Sequence, residues 1–252
     1  MTTTAVRVTD IPPLEHDEAM ALAGVEYDRL IEVAERLTPT QWAAPTDCAG
    51  WDVRAVVGHL LGMIEMDAEP TELGRQVKAA TERMQSAGGP RIDSLTAIQV
   101  EEHASLTIDE LLAALRSTAP RALAARTALS VEERARPYDP GPPFQGPWTR
   151  GYLLDVIHTR DPFMHRVDIA RATGTPLALT PEHDGRIVAD VVAEWARRHG
   201  QDCTVVLTGP AGGTYVSGGG GGEHHELDAI EFCRLLAGRG TGPGLLRHQI
   251  AF

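Results

Sequence analysis

The sequence predicts a mainly α-helical fold, an antiparallel helical bundle followed by a small α+β domain. Two observations lead there. From residue 15 to about 176, apolar residues recur three and four apart with short connections between the runs. Beyond Gly200 this gives way to a short β-branched run and glycine-rich turns. The 252 residues suit one larger and one smaller domain, and 42% hydrophobic content is enough for packed cores. The expected layout is a loose Thr- and Pro-rich arm over 1–14, the bundle over 15–176 and the α+β domain over 177–252.

Taken in order, Met20, Ala23, Tyr27, Leu30, Ala34 and Leu37 form one stripe of a helix from His16, closed by Thr38-Pro39. After a loop over 44–51, Asp52 is placed to cap a second helix, whose stripe is Val53, Val56, Val57, Leu60, Leu61 and Ile64. A third helix is expected over 72–84. Residues 92–129 are helical with a break near Ser105–Thr107, and the proline-rich stretch 137–147 is expected to hold no regular element. A helix over Gly151–Ala172 stops at Gly174 and Pro176, and Pro181 opens another that runs to about His199. Cys203–Thr208 reads as a strand, Gly218–Gly222 as a flexible hairpin turn, Asp228–Ala237 as a helix and Arg247–Phe252 as a terminal strand.

Composition narrows the function. A net charge of −12 repels phosphate backbones and argues against nucleic-acid binding. No apolar run reaches the ~20 residues that span a bilayer, and no secretory signal opens the chain, so a cytoplasmic location is expected. Cys48, Cys203 and Cys233 are isolated, so they predict buried reduced thiols rather than a disulfide framework or a thiolate zinc site. The ten histidines are the unusual feature, because imidazole is the commonest metal ligand.

Two segments carry the chemistry. His59 falls beside the apolar stripe of the second helix, where a bundle can aim it at the interior. Asp161 and His165 stand four apart, so on a helix they share a face and can grip one divalent ion, with zinc suited to N and O donors. His158 and Asp168 lie on the same stripe. Asp168 could orient His165, and His158 is either a further ligand or a neighbour. Pro162 leaves an alternative open: a helix beginning there would make Asp161 its N-cap instead of a ligand.

At these residues the chain resembles a known family. The stretch from Pro45 through Cys48, Trp51 and His59 to Leu60 resembles the metal-binding helix of the mycothiol-dependent maleylpyruvate isomerase family, and Arg160–Gly174 resembles its second ligand motif. The C-terminal stretches Leu207–Gly213 and Asp228–Arg239 are similar to its small appendage. The family belongs to the DinB-like group, so the resemblance implies an antiparallel DinB-like four-helix bundle with a small C-terminal α+β domain. It implies His59 and His165 as metal ligands, with Asp161 where the isomerase has a longer Glu. It further implies a divalent metal, zinc by donor set, and mycothiol, an actinobacterial thiol, as cosubstrate. The expected function is addition of a metal-bound thiolate to an electrophilic small molecule, by an S-transferase or an isomerase. The alternative is a non-catalytic metal-binding or ligand-sensing bundle. Arg54, Arg160 and Arg166 are candidates for holding substrate carboxylates, and Trp51 and Trp148 for walling the pocket. Monomer and homodimer both remain open.

Overall fold

The computed structural model describes residues 4–144, 146–219 and 221–252; residues 1–3 of the expected arm and Gly220 of the glycine run lie outside the described residues. The chain forms two compact units. Glu15–Thr175 makes one; the other joins Pro176–Phe252 to the described residues up to Leu14.

In the first unit the helices are α1 (His16–Glu35), α2 (Pro39–Trp42), α3 (Val53–Ala68), α4 (Pro70–Ala87), α5 (Arg91–His103), α6 (Ile108–Thr127), α7 (Val131–Ala135) and α8 (His158–Thr173). Helices α1, α3, α6 and α8 pack in a ring, α1 against α6 and α8, and α3 against the same two. This is the four-helix bundle. Helices α4 and α5 pack on each other and on the outer face of α3. The expected stripes form the core: Leu30 of α1, Leu111 and Leu115 of α6, and every named stripe residue of α3 are fully buried. Thr38 both closes α1 and opens α2, its hydroxyl capping the Gln41 amide in a capping box. Asp52 caps α3 through the Ala55 amide, and Thr107 caps α6 at the expected break.

Two expectations in this unit are corrected and one open alternative is decided. The proline-rich stretch opens with a strand, β2 (Pro137–Tyr138), that pairs antiparallel with β3 (Trp148–Thr149) just beyond it, held by ladder bonds that composition does not signal. The helix after Gly151 starts as a π-helical turn, Tyr152–Ile157, before α8. Pro162 lies inside α8, so Asp161 is a first-turn residue and not an N-cap. The helix tolerates this proline for a specific reason. Pro162 has no N–H for the carbonyl of His158, four residues back, and the buried Arg126 Nη1 of α6 donates to that oxygen instead, at 3.3 Å.

In the second unit, α9 (Asp184–His199) begins three residues after Pro181, and α10 (Ala229–Leu236) is capped by Asp228. The sheet order is β1-β5-β4-β6, with β1 (Val6–Arg7), β4 (Cys203–Thr208), β5 (Gly213–Ser217) and β6 (Glu223–Asp228). Part of the expected arm is therefore an edge strand, since Val6 and Arg7 pair parallel with β5. Strands β5 and β6 flank β4 on opposite sides, antiparallel and parallel to it. The glycine run thus crosses the end of β4 instead of closing a hairpin, and the Gly219 amide donates to Asp202 there. The expected terminal strand over Arg247–Phe252 does not form: a 3₁₀ turn, Gly244–Arg247, with Leu245 and Leu246 buried, precedes a stretch without regular structure. Among the described residues, no helix is long and apolar enough to cross a membrane.

Candidate metal centre

The loop before α3 and the first turns of α8 build the site. Gly50 turns the loop with a φ of +81°, a region that favours glycine. The Trp51 amide donates to the Cys48 carbonyl at 2.9 Å, and the Thr46 hydroxyl donates to the Trp51 carbonyl at 2.9 Å. This holds Cys48 and Trp51 over the start of α3. Two turns along α3, His59 faces α8 and meets Asp161 and His165.

His59 Nε2 lies 3.4 Å from Asp161 Oδ2, and His165 Nε2 lies 3.4 Å from Asp161 Oδ1. One donor atom from each of the three residues falls within 4.8 Å of the others. The two imidazoles meet edge to face with ring centres 5.1 Å apart. Burial would raise the Asp161 pKa, but His165 and His59 outweigh it and hold the carboxyl well below the usual carboxylate range. Burial would lower His165, but Asp161 and then Asp168 raise it well above the ordinary histidine value.

The far side of each ring decides what faces inward. His165 Nδ1 donates to Asp168 Oδ2 at 3.0 Å, and His59 Nδ1 contacts Gln99 Oε1 at 2.7 Å. With Nδ1 of each ring engaged on its far side, each ring turns its Nε2 toward Asp161, and a bound cation would take the place of the extra proton that Asp161 holds on His165. Asp161 Oδ2 is buried and has no aligned hydrogen-bond donor, despite its ion-pair distance to His59. Two imidazole Nε2 atoms and a carboxylate thus converge, an arrangement that a cation stabilises. The donor set fits a divalent ion such as zinc.

The other expected residues divide. Asp168, fully buried, accepts from His165 as expected. Trp51 stands over the cluster, its ring centre 5.2 Å from that of His59 and 6.2 Å from that of His165. His158 does not join the three-residue cluster, and its Nδ1 pairs with Asp67 at 2.8 Å. Arg54 does not reach for a ligand; it donates to the carbonyls of Ala104, at 3.0 Å, and Leu106 after α5. Arg166 is held by Glu26 of α1 through two bonds of 2.9 and 3.0 Å. Arg160 is buried inside α8. Trp148 packs with Tyr138, Phe144 and Tyr152 instead of with the cluster.

Two contributors were not expected. Cys48, expected as a buried reduced thiol, is only half-buried and donates to Asp168 Oδ2 at 3.4 Å. Gln99, whose Oε1 meets His59, carries no chemical signature in the sequence, where it is one glutamine in a helical stripe. An open cavity of about 440 Å³, lined by Pro45, Asp47, Arg171 and Ala172, shares its loop with Cys48 and its helix with His165.

Fold and donor arrangement define a DinB-like helical bundle with a two-histidine, one-carboxylate cluster in its interior. The sequence profile described as the mycothiol maleylpyruvate isomerase N-terminal domain matches residues 23–170, and the chain belongs to that family. Two solved structures share the fold across both units. One is the mycothiol-dependent maleylpyruvate isomerase (TM-score 0.59) and the other a histidine-to-alanine mutant of it (TM-score 0.60). Each is 15% identical, with 94% of this chain and 93% of the other covered. A search of curated proteins by sequence returns no match.

Proposed function

We propose that this chain is a mycothiol-dependent enzyme of the S-transferase or isomerase kind, with a divalent cation, zinc by donor set, held by His59, Asp161 and His165. One observation carries the proposal: two Nε2 atoms and an unsatisfied carboxylate converge inside a bundle of the isomerase family. When bound, such an ion supplies Lewis acidity that favours a thiolate at neutral pH. The protein's own groups do the positioning. Asp168, itself hydrogen-bonded by Cys48, orients His165, and Gln99 engages His59. Trp51 walls the cluster and keeps water from that face. The reaction forms a carbon–sulfur bond between the thiol and an electrophilic small molecule. A transferase releases that adduct, whereas an isomerase expels the thiol after bond rotation.

A second reading, a metal-binding or ligand-sensing bundle without turnover, draws support from the arginines. Arg54 and Arg166, the candidates for a substrate carboxylate, are both engaged by internal partners. Metal content of the purified protein separates the readings at their root. The wild type should carry about one zinc equivalent, and His59→Ala and His165→Ala should each carry far less. Equal metal in all three would exclude the site. With metal present, consumption of mycothiol in the presence of maleylpyruvate or other electrophiles identifies an enzyme, and thiol binding without consumption favours the sensor.

A further inference from the structure

Behind His59 runs a buried chain of two glutamines. Gln76 of α4 and Gln99 of α5 are 0% and 1% exposed. Their polarity is fixed from the far end. The Gln76 amide nitrogen donates to the Gly62 carbonyl at 3.0 Å and to a Glu72 carboxylate oxygen at 2.8 Å. Both can only accept; Arg75, and then Gln76 itself, hold Glu72 below its ordinary range and so ionised. Gln76 must therefore turn its Oε1 toward Gln99, whose Nε2 donates to it at 2.9 Å and reaches Met66 Sδ at 3.5 Å. That leaves only Gln99 Oε1 for His59 Nδ1, at 2.7 Å.

We propose that Gln99, locked by Gln76, is a positioning residue that fixes His59 as the Nδ1–H tautomer, with its Nε2 lone pair aimed at Asp161 and the metal. This rests on the metal reading given above, but the Nδ1–H donated to Gln99 is a property of the chain with or without an ion, and the tautomer is read where the ring is neutral. The packing is built for it. Helix α5 crosses α3 at Gly58 and Gly62, and a Cβ at Gly62 would stand 2.6 Å from the Gln99 side chain. The spacing Gly58-x-x-x-Gly62 thus lets Gln99 lie against α3 and reach the histidine between the two glycines.

The test uses the full-length chain with ¹⁵N-labelled histidine, and three proteins: wild type, Gln99→Met and Gln99→Glu. Methionine keeps the length and removes the acceptor, whereas glutamate keeps an acceptor for Nδ1–H. In chelator-treated wild type the His59 ring should show a single Nδ1–H tautomer. Gln99→Met should show mixed tautomers and bind zinc about 10–100-fold more weakly by titration calorimetry. Gln99→Glu should recover the tautomer and most of the affinity, which a merely structural role would not produce. A single Nδ1–H tautomer in Gln99→Met, or wild-type zinc affinity there, would overturn the proposal. Wild type that shows the tautomer and binds no zinc would sustain the positioning role and refute the metal reading.

Discussion

At the scale of single residues, His103 links the glutamine chain to the solvent side of α3. Its Nδ1 contacts the Gln99 carbonyl at 2.6 Å, and its Nε2 contacts Glu65 at 3.1 Å. Burial lowers its pKa, but Glu65 and the Gln99 carbonyl outweigh that and raise it above the ordinary 6.5. A raised folded value makes this a low-pH stabiliser. Its contribution is complete below about pH 6.5 and is lost as pH rises through the folded value. Glu65→Gln should therefore lower stability most at acidic pH and least above neutrality, read by urea unfolding across pH 5–8. A penalty independent of pH would exclude the pairing. Residues of this kind set the limit of what the sequence discloses. Asp52 as a cap and Asp161–His165 as a shared face are local relations, readable from spacing of three and four. The Gln76–Gln99 contact joins residues 23 apart in sequence, and a side-chain amide looks the same whether it meets water or a histidine. Arg54 and Arg166 show the same limit, since a guanidinium in a sequence carries no sign of whether it will meet a backbone carbonyl, as Arg54 does, or a buried carboxylate, as Arg166 does.

At the scale of elements, α8 is the piece whose behaviour was least legible. Its apolar and polar stripes announce a helix, but Pro162 argues for a break there, and propensity alone puts that cost near 3 kcal/mol. The resolution lies in α6. Arg126, 1% exposed, donates to Tyr27 of α1 at 2.7 Å and to Thr159 of α8 at 3.0 Å, besides the Leu154 and His158 carbonyls. Asp67 of α3 lies 3.8 Å away. Removing this side chain, as in Arg126→Leu, should cost about 3–5 kcal/mol, because it strands several buried polar groups at once. In a Pro162→Ala background the restored amide can serve the His158 carbonyl, and the penalty should shrink by about 1 kcal/mol. A double-mutant cycle by equilibrium unfolding measures that difference. A coupling of zero would mean that Arg126 does not stand in for the missing amide.

At the scale of the whole molecule, the bundle was legible because its stripes are long and regular. The second unit was less so, because strand order depends on pairings between distant segments. Nothing in Val6-Arg7 announces a partner at Tyr215 and Val216, and nothing in the glycine run says that it passes a strand instead of returning beside one. If the three-residue cluster holds an ion, the ion is also a stabilising ligand. At zinc concentrations 100 times Kd, binding adds about 2.7 kcal/mol, which raises Tm by roughly 5–10 °C for a chain of this size. Differential scanning calorimetry with zinc and with chelator should show that rise in wild type and little of it in His59→Ala or His165→Ala. An equal rise in all three would remove those histidines from the site.

The guanidinium that replaces the Pro162 amide has one more consequence. A helix normally completes its own backbone hydrogen bonding, and can open or close without consulting its neighbours. Helix α8 borrows a donor from α6, and the same group engages α1 and faces a carboxylate of α3. None of the four can fray at this level without stranding the others. The turn that carries Asp161 is thereby drawn into the global unfolding unit and kept out of local openings. The rigidity that a preorganised site requires is built into the backbone that presents it.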